Sequence, residues 1–157
     1  MKNLKAIFSR TKPQDFWALI DLLDWNQEGD DKRVVEPIVA YLATRSVKEI
    51  QDFQETLAQK LYDLDGKVWA KRSGSMLWRD NELVSADGFL YARCAVVANG
   101  KDFYEHVLSD PMDMPKDVEF EALIYIAGEA LKRKTGDDAG IDTKTSFETY
   151  ANHGRWS

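Results

Sequence analysis

Cysteine occurs once, at Cys94, so no disulfide can form within the chain, and this sparing use fits a reducing compartment. Histidine occurs twice, at His106 and His153, which leaves a histidine-based zinc site short of ligands. No HExxH, paired CxxC or phosphate-binding glycine loop is present. These absences leave no residue to assign to catalysis, no metal site and no cofactor. No apolar run approaches the ~20 residues that span a bilayer, and residues 1–13 lack the apolar core of a secretion signal. The expected location is therefore the cytoplasm, away from membranes. Strict apolar–polar alternation is missing too, so strands are not expected, and neither a repeat nor a low-complexity tract is visible.

What is present is an ordinary globular composition, 44% hydrophobic and 31% charged over 157 residues, which is one domain's worth of chain. The net charge of −6 argues against nucleic acid as a direct partner, because a phosphate backbone is met by clustered lysine and arginine. The charge is unevenly spread. Lys2, Lys5, Arg10 and Lys12 form a basic lead over residues 1–12. Asp15, Asp21, Asp24, Glu28, Asp30 and Asp31 follow without a base, and a second acidic stretch runs from Asp102 to Glu121 with Lys116 alone against it. Such a surface steers a basic protein partner, although acidic segments also serve simply as solvated helix faces.

Helical periodicity organises the rest. Thr11–Gln14 reads as a capping box before a helix that presents Phe16, Leu19, Ile20 and Leu23. A second helix is predicted from Asp30 or Asp31, with Pro37 producing a kink or a late start. Ser46–Glu49 is another capping box, opening the stripe Ile50, Phe53, Leu57, Leu61 and Leu64, which Gly66 or Gly74 ends. Residues 73–84, with Trp78, form a connection. Ser85 or Asp87 then caps a segment apolar on nearly every side, stopped by Asn99-Gly100, and such a helix belongs at the centre of a bundle. A short helix over about 101–108 follows, and a last one begins near Pro115 or Lys116 and ends in Lys132-Arg133-Lys134 before Gly136, with charges that suit its dipole. The expectation is an all-α, single-domain bundle of five to seven helices spanning 13–136, with an irregular tail, 137–157, packed on it through Phe147, Tyr150 and Trp156.

Arg93 is the one charge inside the central apolar helix, so it needs an acidic partner there. Asp87, Glu119, Glu121 and Glu129 are the candidates. Either the pair fixes helix register, or Asp87, Tyr91 and Arg93 with an acid from the last helix line a polar pocket suited to an anionic ligand. Cys94 sits among Ala92, Ala95 and Val97 and reads as inert packing rather than as a nucleophile for His106. Asp24, Asn26, Glu28 and Gly29 open like a calcium loop, but Val35 stands where the closing glutamate belongs. Asp63-Leu64-Asp65-Gly66 is a weaker match, because Leu64 belongs to the apolar stripe. Trp25, Trp78 and Trp156 lie at element ends or loops, where an indole beside acids suits a protein interface.

Three segments, Phe16-Trp17-Ala18-Leu19-Ile20-Asp21, Asp87-Gly88-Phe89-Leu90-Tyr91-Ala92-Arg93, and Glu121-Ala122-Leu123-Ile124-Tyr125 leading to Lys134-Thr135-Gly136, together carry a family likeness. The chain resembles domain-of-unknown-function family 4240, over roughly residues 14–136, with further likeness in Ser146–Asn152. The resemblance implies a soluble, helical bacterial protein, some of whose relatives stand beside WGR-type domains. It supplies no activity and no catalytic residues.

Two functions follow as expectations. The first is a non-catalytic, acidic protein-binding module, in its sharpest form an immunity-type inhibitor of a basic bacterial toxin domain. Its surface would comprise Asp21, Asp24, Trp25, Asp30, Asp31, Trp78, Asp110, Asp113 and Asp117. The second is a small-molecule binder or enzyme built on the pocket around Asp87, Tyr91 and Arg93. The sequence leaves the oligomeric state open.

Overall fold

Short polar side chains set where the helices begin, as the capping patterns predict. The computed structural model describes residues 15–157, so the basic lead and the Thr11–Gln14 capping box lie outside the described residues. Helix α1 (Phe16–Ile20) starts at Asp15, which accepts from the Trp17 amide, and a 3-10 turn over Trp25–Gln27 follows. Asp30 accepts from Arg33 N to open α2 (Asp31–Ala43), which runs through Pro37 rather than starting late at it. Ser46 accepts from Glu49 N at 3.1 Å to open α3 (Val47–Asp63). Only half of that capping box forms, because the Glu49 carboxylate turns to Arg45, with Nε 2.6 Å from Oε2. The apolar stripe of α3 is buried as its spacing requires, and each such leucine is worth roughly 2–5 kcal/mol against alanine. The helix ends before Gly66, and a separate turn, α4 (Lys67–Ala70), follows it.

Residues 73–84 hold a feature the alternation test does not find. Strands β1 (Trp78–Arg79) and β2 (Glu82–Leu83) pair antiparallel, Trp78 opposite Leu83 and Arg79 opposite Glu82. Asp80 (φ 52) and Asn81 (φ 63) between them both adopt positive φ, as a tight two-residue hairpin turn requires. Two residues per strand are too few to show a period, so the expectation of no strand fails at this one place.

Helix α5 (Ala86–Ala98) opens on Ser85, whose hydroxyl accepts from Gly88 N at 2.9 Å, and from Phe89 to Ala98 only Tyr91 is not buried. It contacts α3, α6 (Lys101–Ser109) and the 3-10 helix Glu121–Tyr125. The final helix, α7 (Ile126–Thr135), begins about ten residues later than its charge pattern predicts, the difference between Ile126 and Lys116. The intervening chain is held by other bonds. Asp117, at φ 56, donates its amide to Ser73 O and accepts from Met76 N, and Phe120 N donates to Tyr91 O at 2.9 Å. These ties draw Phe120 into the core instead of into a helix. Helix α7 packs chiefly on α2, stapled by Arg133 and Glu36 in a two-pronged ion pair, with Nη1–Oε1 at 2.6 Å and Nη2–Oε2 at 3.0 Å. Seven α-helices among the described residues, one small hairpin and an irregular tail make an all-α single domain.

Candidate functional site

The pocket expected around Arg93 does not assemble. Tyr91 and Arg93 are two residues apart, about 200° around the helix, and so face opposite ways. Arg93 is 0% exposed and turns toward α3 and the tail. It donates from Nη1 to Leu61 O at 2.8 Å, and from Nη2 to Phe147 O at 3.2 Å and Thr149 Oγ1 at 2.9 Å. Its guanidinium lies 4.9 Å from the Phe89 ring centroid. None of Asp87, Glu119, Glu121 and Glu129 pairs with it. Burial pushes its pKa down to about 10, and the neighbouring Asp65 carboxylate opposes that shift, so the group stays charged at neutral pH.

Asp65, which the sequence offered only within a weak match to a calcium loop, is the acid nearest to Arg93 in effect. It is 0% exposed, and accepts from Tyr150 N at 3.1 Å, Asn152 N at 2.9 Å and the Trp156 indole N–H at 2.8 Å. Asp65 lies just past the end of α3 and its Leu64 cap, so helical periodicity does not place its side chain, and no local pattern announces its contacts with the tail.

On the other side of α5, Tyr91 meets the segment before α7 through its carbonyl, which accepts from Phe120 N, and the Asp87 charge acts on both Tyr91 and Tyr125. The Tyr125 hydroxyl donates to Glu121 Oε1 at 3.0 Å. Burial, and then the Glu121 carboxylate, push the Tyr91 phenol up to about 12, while the hydrogen bond to Glu121 raises Tyr125. Without Arg93 this cluster is anionic, so it suits a cation or a hydroxyl donor rather than an anion. Burial likewise pushes the Cys94 thiol up to about 12, which keeps it protonated and unreactive. Among the described residues no three of His, Cys, Asp and Glu are grouped so as to hold a metal ion.

The acids expected to meet a partner are dispersed, and several have local work. Asp24, Asp30 and Asp110 cap turns or helices by accepting from Asn26 N, Arg33 N and Met112 N. Asp113 Oδ2 stands 2.7 Å from His106 Nε2, Asp117 ties two loops, and Asp21 closes α1. Trp78 is half-buried on the hairpin and packs against the core. Trp25 differs from these. It is 43% exposed, and its ring packs on Phe120 with centroids 5.4 Å apart. The two rings line a groove of about 420 Å³ that Glu28, Asp31 and Glu119 also line. Asp31 is shared with an adjoining groove of about 500 Å³ between α2 and α7, lined also by Lys32, Glu121, Tyr125, Glu129 and the Glu36–Arg133 pair. Among the described residues none of Glu28, Asp31 and Glu119 forms an ion pair.

An all-α domain with an acidic, aromatic-floored groove is the class this geometry defines. The chain belongs to the family described as Protein of unknown function (DUF4240), whose model matches residues 12–133. No curated protein and no solved structure matches it. No helix among the described residues is long and apolar enough to cross a membrane.

Proposed function

We propose that the protein is a non-catalytic binding module that receives a basic segment of a partner protein along the two adjoining grooves. The observation that supports this reading is Trp25, an exposed indole packed at a tilt on Phe120 and flanked by three carboxylates that form no ion pair among the described residues. An arginine of the partner can lay its guanidinium on the indole while donating to Asp31 or Glu28, which combines cation–π attraction with charge-assisted hydrogen bonds. In the second groove Glu121 and Glu129 offer further carboxylates, beside Lys32 and the Arg133 that Glu36 already pairs. The net charge of −6 adds long-range steering. In its sharpest form the partner is a basic toxin domain and this chain its immunity-type inhibitor.

The test uses a fluorescently labelled hexa-arginine peptide and measures anisotropy against ionic strength. Binding is expected for the natural chain, to fall with salt, and to be lost in Trp25→Ala and in the double variant Asp31→Lys, Glu119→Lys. The reversals Asp102→Lys and Asp138→Lys, outside the grooves, serve as controls. Equal weakening by the control pair would show that net charge alone attracts the peptide, and would overturn the assignment.

A further inference from the structure

Residues 137–157 have little structure of their own beyond a 3-10 turn over His153–Arg155, and are ordered by the helical body. The manner of that ordering is that of a receptor with a peptide. Glu55 accepts from Lys144 N at 2.6 Å and Thr145 N at 3.2 Å. Arg93 donates to Phe147 O and to Thr149 Oγ1, and the Thr149 hydroxyl donates onward to Ala86 O at 2.7 Å. Asp65 takes the amides of Tyr150 and Asn152 with the indole N–H of Trp156, and the Asn152 side chain donates to Tyr62 O at 3.0 Å. Three charged side chains of the body thus read five main-chain groups of the tail.

Apolar burial plays the smaller part, since Phe147 and Trp156 are only half-buried and Tyr150 is exposed. The Trp156 ring rests edge-on against Phe89 at 5.8 Å, and Arg155 lies 5.1 Å from the Trp69 ring centroid. Residues 136–140, which join the tail to α7, are all exposed, with Gly136 and Gly140 both at φ 80 in the left-handed region. Every residue that forms the cleft lies within the 12–133 that the family model matches, whereas the tail lies beyond it.

We propose that Glu55, Asp65 and Arg93, with the carbonyls of Tyr62 and Ala86, form a peptide-binding cleft that reads an extended main chain, and that residues 144–156 are its ligand in cis. The ligand class is an extended peptide with a hydroxyl residue at the position of Thr149 and a tryptophan seven residues further on. The same segment of a second copy meets both requirements and exchanges with the chain's own tail. This site is distinct from the Trp25 groove and does not depend on the function proposed for it.

The test keeps the full chain and replaces residues 137–140 with a specific protease sequence. After native cleavage, the 141–157 fragment is expected to co-elute with the body in gel filtration. A labelled synthetic peptide of residues 141–157, added in excess, then replaces it, as read by anisotropy. Peptides carrying Thr149→Ala or Trp156→Phe should bind at least about tenfold more weakly, since each loses a hydrogen bond to a charged group. Release of the fragment on cleavage from a body that stays helical by circular dichroism would overturn the proposal. So would a fragment that never exchanges, or a body that unfolds when cut, because either makes the tail part of the core.

Discussion

The tail cleft and the Trp25 groove both set carboxylates beside aromatic rings, yet they stand in opposite conditions. In the cleft, Asp65 and Arg93 are 0% exposed, and Asp65 takes three N–H donors from the tail. In the groove, Glu28, Asp31 and Glu119 are exposed and form no ion pair among the described residues. A buried charge must be satisfied within the fold because its desolvation costs several kcal/mol, while an exposed one keeps its water and is free to meet a partner. The buried charges of the first region therefore bear on stability, whereas those of the second leave it nearly unchanged.

The comparison is tested hardest by Arg93→Ala. That change strands Leu61 O and Phe147 O, and leaves Asp65 buried without a neighbouring cation. The expected loss is about 3–5 kcal/mol by denaturant unfolding. A loss under about 1 kcal/mol would break the contrast, since that is the range of an exposed pair.

Cys94 probes the same interior without altering it. Buried and pushed up to about 12, it should label with a maleimide only through opening of the core, at least about a hundredfold more slowly than a free thiol. Stoichiometric labelling within minutes under native conditions would show that α5 is not the rigid centre.

Glu36 and Arg133 form an intermediate case, an ion pair half-exposed at the groove wall. The hydrogen bond from Arg133 holds the Glu36 carboxyl below the usual glutamate range. A depressed folded value means that the contribution is complete above the ordinary value of ~4.3 and disappears as pH falls through the lower one. Glu36→Gln should thus cost about 0.5 kcal/mol at neutral pH and nothing in strong acid, compared with the natural chain by urea unfolding. An equal cost at both ends of the pH range would mean that the side chain acts through packing.

The smallest effect belongs to the groove. Glu119→Lys and Glu28→Lys should each change stability by no more than about 0.5 kcal/mol while slowing association with a basic ligand. By contrast, Asp30, Asp110 and Asp117 are unsuitable for such reversal, because each accepts a backbone amide and its loss would cost up to about 2 kcal/mol of structure.

Much of the helical framework was legible in the residues. Ser46 and Ser85 announced α3 and α5, and the stripe of α3 named its buried face, because caps and periodicity involve residues only three or four apart. The short hairpin escaped notice, having too few residues for a period. The start of α7 was misplaced because Phe120 is held by the Tyr91 carbonyl, which no local pattern encodes. The acidic track was visible as composition. That Trp25, Asp31 and Glu119 share one groove, while Asp24 and Asp110 serve as caps, was not.

Arg93 marks the boundary between what the sequence determined and what tertiary structure decided. A guanidinium in an apolar helix had to be buried and to find acceptors, which its two Nη groups do while Nε has none, and the need for acceptors follows from its neighbours. Which atoms satisfy it was decided by folding. Oxygens on Phe147 and Thr149, 54 and 56 residues away, reach it, whereas Asp87 and the acids before and within α7 do not. Sequence spacing fixes which way a side chain leaves its helix, but a partner is chosen by whichever distant segment packs there. Here that segment is a tail with no helical period, whose order comes from the charges it covers.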